Sequence, residues 1–245
     1  MKILKLFSHL SLIIVFSSFL RTAFSQNMQL PQPSVVTPAV KGKAPSDAIV
    51  LFDRGSLDNF ESSKDGGPAL WKVKGSKFII VPGTGDIRTK QKFGNCQVHL
   101  EWKTPVKDVK EKKEGQGCGN SGIYFMKRYE VQVLNSYLNK TYPDGQAGAI
   151  YARYPPMVNA SAQPGKWQTY DIVFTAPVFN KNGSVKSKGY FTVFHNGVLI
   201  QNHVEINTNI NEGDIEATGE LFKAPIYLQD HGNEISYRNF WVREF

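Results

Sequence analysis

The chain has 245 residues, 41% of them hydrophobic and 12% aromatic, with a formal net charge of +8. This apolar content excludes a wholly disordered chain, and the length suits one large domain or two small ones. Two cysteines exclude a disulfide-dense scaffold and a multi-cysteine zinc module.

Residues 1–25 read as a secretory signal peptide. Lys2 and Lys5 form a positive start, Leu6 to Leu20 is mostly apolar, and Ala23-Phe24-Ser25 offers small residues where a signal peptidase cuts. An uncleaved anchor is the poorer reading, because serines and a histidine break a run already short for a span. Cleavage before Gln26 leaves 26 basic against 21 acidic side chains, a balance of +5. The mature protein is expected in the periplasm or the medium. No later apolar run approaches the roughly 18 residues of a membrane span, so no stable membrane insertion is expected. Residues 26–46 carry Pro31, Pro33, Pro38 and Pro45 without periodicity, and read as a linker. One domain is expected from residue 47 to 245.

Within it, short runs alternate with period two. Gln97 to Lys103 sets Val98, Leu100 and Trp102 on one face and His99, Glu101 and Lys103 on the other. The densest basic stretch, Lys107 to Lys113, is interleaved with Asp108, Glu111 and Glu114. It reads as a solvated loop rather than a nucleic-acid patch. Gly115 to Gly122 holds four glycines in eight residues. It lacks the Lys-Ser/Thr pair and the helix of a phosphate cradle, so a tight loop bordering a groove is expected.

Ile123 to Phe125 looks like a strand. Tyr129 to Val133 places Tyr129, Val131 and Val133 together, with Glu130 and Gln132 opposite. Gln168 to Ala176 aligns Tyr170, Ile172 and Phe174. Tyr190 to His195 and Val198 to His203 flank Asn196-Gly197, a type I′ hairpin signal. Pro225 to Gln229 and Ile235 to Val242 supply two more strands. No 12-residue window after position 46 shows a helical period, so an all-β, two-sheet jelly-roll sandwich is expected. Cys96 and Cys118 either bridge or stay apart, with two separate thiols favoured.

The outward-facing Glu101, Glu130 and Gln132 suit acid, base or hydroxyl-binding roles, though an ordinary solvated sheet face has the same pattern. Asp230-His231 at a strand end could hold a metal or act as a base, or could be a turn in which Asp230 bonds its own backbone. Tyr124 and other tyrosines near polar groups could stack on sugar rings, although core packing explains most aromatics. Serine-nucleophile motifs are missing.

Several segments together resemble the 3-keto-disaccharide hydrolase domain family. They include Leu51-Phe52-Asp53-Arg54-Gly55-Ser56-Leu57, Gly85 to Lys90, Gly119 to Tyr137, Asp144 to Tyr151, Pro164 to Pro177, His195 to Asn202 and Leu228 to Trp241. Arg54, Asn95-Cys96, Cys118 and Asn135 depart from the family pattern. The resemblance implies a concanavalin-like sandwich that cleaves glycosidic bonds in an oligosaccharide or glycoside already oxidised at C3.

A C3 ketone acidifies the proton on C2, so one base and an enolate stabiliser suffice. Under that chemistry Glu130 or His231 is the expected base. Glu101, Asn120, Gln132 and Arg88, with Tyr124 and Gln229, are the expected substrate contacts. A divalent metal held by His231 and nearby carboxylates would add charge stabilisation, with ligands unassigned. The rival function is a non-catalytic, lectin-like carbohydrate-binding module.

Overall fold

Cys96–Lys103 shows the rule on which the fold is built: its side chains alternate strictly between buried and half-buried. Each such strand hides one row of apolar side chains and needs a second layer to cover it. In the computed structural model, which describes residues 30–40, 43–180, 182, 184–206 and 223–245, that second layer is another sheet. The chain divides into two compact units, residues 1–35 and 36–245. The described part of the first, residues 30–35, has no regular secondary structure. The expected signal peptide lies outside the described residues. Every strand among the described residues belongs to the second unit.

The strands in chain order are β1 (Ile49–Phe52), β2 (Phe60–Ser62), β3 (Lys72–Lys74), β4 (Lys77–Ile79), β5 (Ile87–Thr89), β6 (Cys96–Lys103), β7 (Ser121–Phe125) and β8 (Tyr129–Val133). They continue as β9 (Gln168–Thr175), β10 (Val178–Phe179), β11 (Val185–Ser187), β12 (Gly189–His195), β13 (Val198–Ile206), β14 (Tyr227–Leu228) and β15 (Ser236–Glu244). An eight-stranded sheet runs β13-β12-β9-β6-β15-β4-β3, with β1 also on β15. A five-stranded sheet runs β2-β5-β14-β7-β8, and β10 pairs with β11. All pairings are antiparallel.

One apolar core joins the two sheets. Phe125 of the small sheet meets Phe174 and Phe191 of the large one at ring-centroid distances of 4.9 and 5.2 Å. Two hydrogen bonds cross the same gap: Tyr237 Oη donates to Ser121 Oγ at 2.7 Å, and Tyr170 Oη to the Gln132 carbonyl at 2.8 Å. These contacts make the expected sandwich and hold the small sheet on the large one. Asn196 and Gly197 have φ of 52° and 78°, the two positive values a type I′ turn requires.

Two expectations need correction or resolution. A five-residue helix α1, Val106–Lys110, occupies the stretch read as a solvated loop. It is too short to display a helical period, and it buries Asp108 to 3% exposure. Cys96 and Cys118 are both buried free thiols.

Candidate functional site

The small sheet has an inner face that belongs to the core and an outer face on which polar residues line up in register. Across its five strands, Glu61 of β2 lies opposite Arg88 of β5, and Arg88 opposite Tyr227 of β14. Tyr227 in turn faces Tyr124 of β7, and Tyr124 faces Glu130 of β8. The period-two alternation that sends Ile123, Phe125, Val131 and Val133 into the core sends this row outward. Yet β8 is buried on both faces, with Glu130 only 7% exposed and Gln132 1%. The segment from Gly145 to Tyr151 lies along β8 and walls that end of the row, its Tyr151 N–H bonded to the Glu130 carbonyl at 3.0 Å.

Glu130 is therefore a nearly dry carboxylate. Its Oε2 accepts the Tyr124 hydroxyl at 2.8 Å, and Tyr124 Oη accepts Gln229 Nε2 at 3.2 Å. Burial pushes the Glu130 pKa up to about 7; the Tyr124 hydrogen bond pulls the other way, and the negative charge of Asp86 adds to the rise. Asp86 is itself raised, by burial first and by the Asp230 charge, against a 2.8 Å hydrogen bond from the Asp230 N–H. Burial, with the Glu130 charge behind it, also raises the Tyr124 phenol, which keeps its proton.

Gly122 makes room for this arrangement. A Cβ at Gly122 would collide with Glu130 Oε1 and come within 2.8 Å of the Tyr124 ring. Gly145 does the same for Tyr142, whose ring lies where a Cβ would be. The Tyr142 and Tyr151 hydroxyls bond each other, and Tyr142 is 43% exposed, giving the site an aromatic wall.

Beside Glu130 lies an amide cluster. Gln132 Nε2 and Asn120 Nδ2 both donate to Gln116 Oε1, at 2.9 and 3.1 Å, and Gln116 Nε2 donates to the Gly145 carbonyl at 2.9 Å. The glycine loop that carries Gln116 and Asn120 is held from behind by Asp108. That buried carboxylate accepts Lys113 Nζ at 2.8 Å, the Gly119 N–H at 3.0 Å and Asn233 Nδ2 at 2.8 Å.

Of the residues expected from the sequence, Glu130, Tyr124 and Gln229 form one hydrogen-bonded chain, and Gln132 and Asn120 join through Gln116. Arg88 lies on the same face three strands from Glu130. Glu101 lies on the other sheet, where Arg238 Nη2 approaches it at 2.6 Å and Asn239 Nδ2 at 3.1 Å. His231 is exposed in the turn after β14 and makes no hydrogen bond or ion pair with Glu130. Its neighbour Asp230 accepts the Gly83, Gly85 and Gly232 N–H groups, a turn-stapling role. Among the described residues no group of three or more His, Cys, Asp or Glu comes together to hold a metal ion. Cys118 and Asn135 line a separate cleft of about 510 Å³, together with Val106, Val109 and Tyr137.

Asp86, Gln116 and Asp108 escaped the sequence reading. Asp86 stands inside a family-like segment but reaches Glu130 only through strand order. Asp108 was masked by the lysines around it.

Comparison with known proteins agrees with this architecture. A crystal structure of a candidate glycosyl hydrolase from Parabacteroides distasonis is 44% identical, with a TM-score of 0.80 over 90% of this chain and 95% of that one. A second from the same organism is 19% identical, with a TM-score of 0.55 over 81% and 94%, and supports the fold alone. No curated protein matches the chain. No helix among the described residues is long and apolar enough to cross a membrane. Residues 47–243, which hold both sheets and the whole Glu130 site, match the 3-keto-alpha-glucoside-1,2-lyase-like domain. The chain belongs to that family, and with it to the glycosyl hydrolase-like, carbohydrate-directed proteins.

Proposed function

We propose that the protein is an exported enzyme that cleaves glycosidic bonds of sugars oxidised at C3, by elimination followed by hydration. The observation that carries this reading is Glu130, a carboxylate whose pKa is lifted to about 7 beside a phenol that keeps its proton. A base poised near neutral pH is what removal of a weakly acidic carbon-bound proton requires.

Glu130 takes the proton from C2. The C–H electron pair forms a C2=C3 double bond, and the charge moves to the C3 oxygen. Gln229 donates its second amide N–H to that oxygen, and Tyr124, released once Glu130 is protonated and no longer needs its hydrogen bond, turns its single O–H to the same oxygen. When the ketone re-forms, the C1–C2 double bond appears and the C1–O bond breaks, the leaving oxygen taking a proton from solvent. Water then adds to C1, giving up one proton to solvent, and Glu130, its own proton exchanged with solvent by then, protonates C2. The sum is hydrolysis. An ordinary glycosidase would need two carboxylates flanking an oxocarbenium-like centre.

The Tyr142–Tyr151 wall serves a non-catalytic, lectin-like reading equally well, because sugar rings stack on aromatic faces. One experiment separates the two. The mature protein is incubated in D2O with paired disaccharides, native and C3-oxidised, with and without chelator, and products are followed by mass and NMR. Cleavage of only the oxidised partner, with deuterium entering at C2, is the expected result. Cleavage of the native sugar points to a two-carboxylate reaction in which Asp86 joins Glu130. No cleavage of either, with sugar signals broadened on mixing, makes the protein a binding module. Loss of activity with chelator would assign a metal to the reaction. Export rests on residues 1–25, and mass spectrometry of the processed N-terminus tests it.

A further inference from the structure

The polar row on the outer face of the small sheet does not end at Glu130. The row Glu130–Tyr124–Tyr227–Arg88–Glu61 crosses all five strands in register. At a strand spacing of about 4.8 Å, the Arg88 backbone is some 14 Å from that of Glu130, the reach of about three linked pyranose rings, and its guanidinium turns farther away, to Glu61 on β2. Arg88 is thus too distant to serve the reacting ring.

Its chemistry is defined. Arg88 Nε donates to Glu61 Oε1 at 2.8 Å, and Glu61 together with the Tyr227 hydroxyl holds the guanidinium firmly in its charged form. The pair is accessible, at 29% and 22% side-chain exposure. Gly66 borders both partners and also lines a neighbouring cavity of about 400 Å³, together with Leu57, Asp58, Phe60 and Lys90. A neutralised Arg–Glu pair offers donors and acceptors side by side without net charge. That arrangement matches the vicinal hydroxyls of a neutral sugar rather than a uronate or sulfate.

We propose that Arg88 and Glu61 form a distal subsite for a neutral, hydroxyl-rich ring, so that the groove takes glycans longer than a disaccharide. The inference rests on the small-sheet groove being the carbohydrate site.

The test measures Kd for neutral α-1,4 and β-1,4 gluco-oligosaccharides of one to five rings, on the wild-type protein and on Arg88→Met. Affinity should rise about 10-fold between two and four rings in the wild type, from hydrogen bonds to a charged group, and stay flat in Arg88→Met. Glu61→Gln, which leaves the guanidinium unneutralised, should shift preference towards a uronate-bearing tetramer. No gain with length in the wild type, or an equal gain in wild type and Arg88→Met, overturns the subsite. Disaccharide cleavage is read in parallel. Length-independent binding with cleavage intact removes only the subsite, whereas length-dependent binding without cleavage removes only the enzymatic reading.

Discussion

Glu101 and Glu130 occupy equivalent positions in their strands, each facing outward between apolar neighbours, and the two sheets treat them in opposite ways. On the large sheet Glu101 meets Arg238 and Asn239, so its charge is matched where it stands. The match depends on a bulge in β15: Arg238 pairs with Glu101 and Trp241 with His99, leaving Asn239 at φ 46° between them. The surrounding face is saturated, with His99 on Asp171 at 2.7 Å and Arg238 over the Trp167 ring at 4.1 Å. On the small sheet Glu130 meets a phenol and, further off, another carboxylate. A carboxylate given a cation becomes structure; one given only burial and a hydroxyl retains a proton affinity that chemistry can use.

The largest expected effect tests Glu130 itself. Glu130→Gln should reduce cleavage of a C3-oxidised disaccharide by about 1,000-fold, the scale of a lost general base. The same change should stabilise the fold at alkaline pH. Because the folded pKa of about 7 lies above the ordinary carboxyl value of 4.5, the native state binds the extra proton between those values, and stability falls as pH rises through that window. Denaturant unfolding should show the variant more stable by about 3 kcal/mol above neutrality and equal to the wild type below about pH 4. Equal stability at both pH values would mean that Glu130 is not held dry.

Gly122→Ala should come next. The added methyl meets the Glu130 carboxylate and the Tyr124 ring, so stability should drop by about 1–3 kcal/mol and activity with it. Gly117→Ala, which meets nothing within 4 Å, is the matched control and should leave cleavage intact.

Tyr124→Phe removes the hydrogen bond that lowers the Glu130 pKa. The acid limb of the kcat/KM profile should move to higher pH, with about a 10-fold loss at neutrality. An unmoved limb would assign the titration to another group.

The smallest effect belongs to the other sheet. Glu101→Gln should cost about 1 kcal/mol through its half-exposed partner Arg238 and leave cleavage within about twofold of wild type. A large activity loss there would erase the contrast between the two faces.

Much of this molecule is legible from residue order alone. Alternation in Gln97 to Lys103, Tyr129 to Val133 and Gln168 to Ala176 assigns inner and outer faces, because a pleated strand has a period of two whatever surrounds it. Asn196-Gly197 announces its hairpin because few residue pairs tolerate two positive φ angles. The outward direction of Glu130 and Gln132 follows in the same way.

What alternation could not supply was the neighbour across the sheet. Glu101 and Glu130 look alike until strand order puts β15 beside one and β7 beside the other. Asp86 becomes an electrostatic neighbour of Glu130 although 44 residues separate them in the chain, and Asp108 becomes a buried bracket despite lying among lysines. The distance from Arg88 to Glu130 is likewise a property of register. Direction is local, set by each strand's own backbone. Partnership, burial and hence proton affinity depend on which distant strand arrives alongside, and the tertiary structure alone decided those.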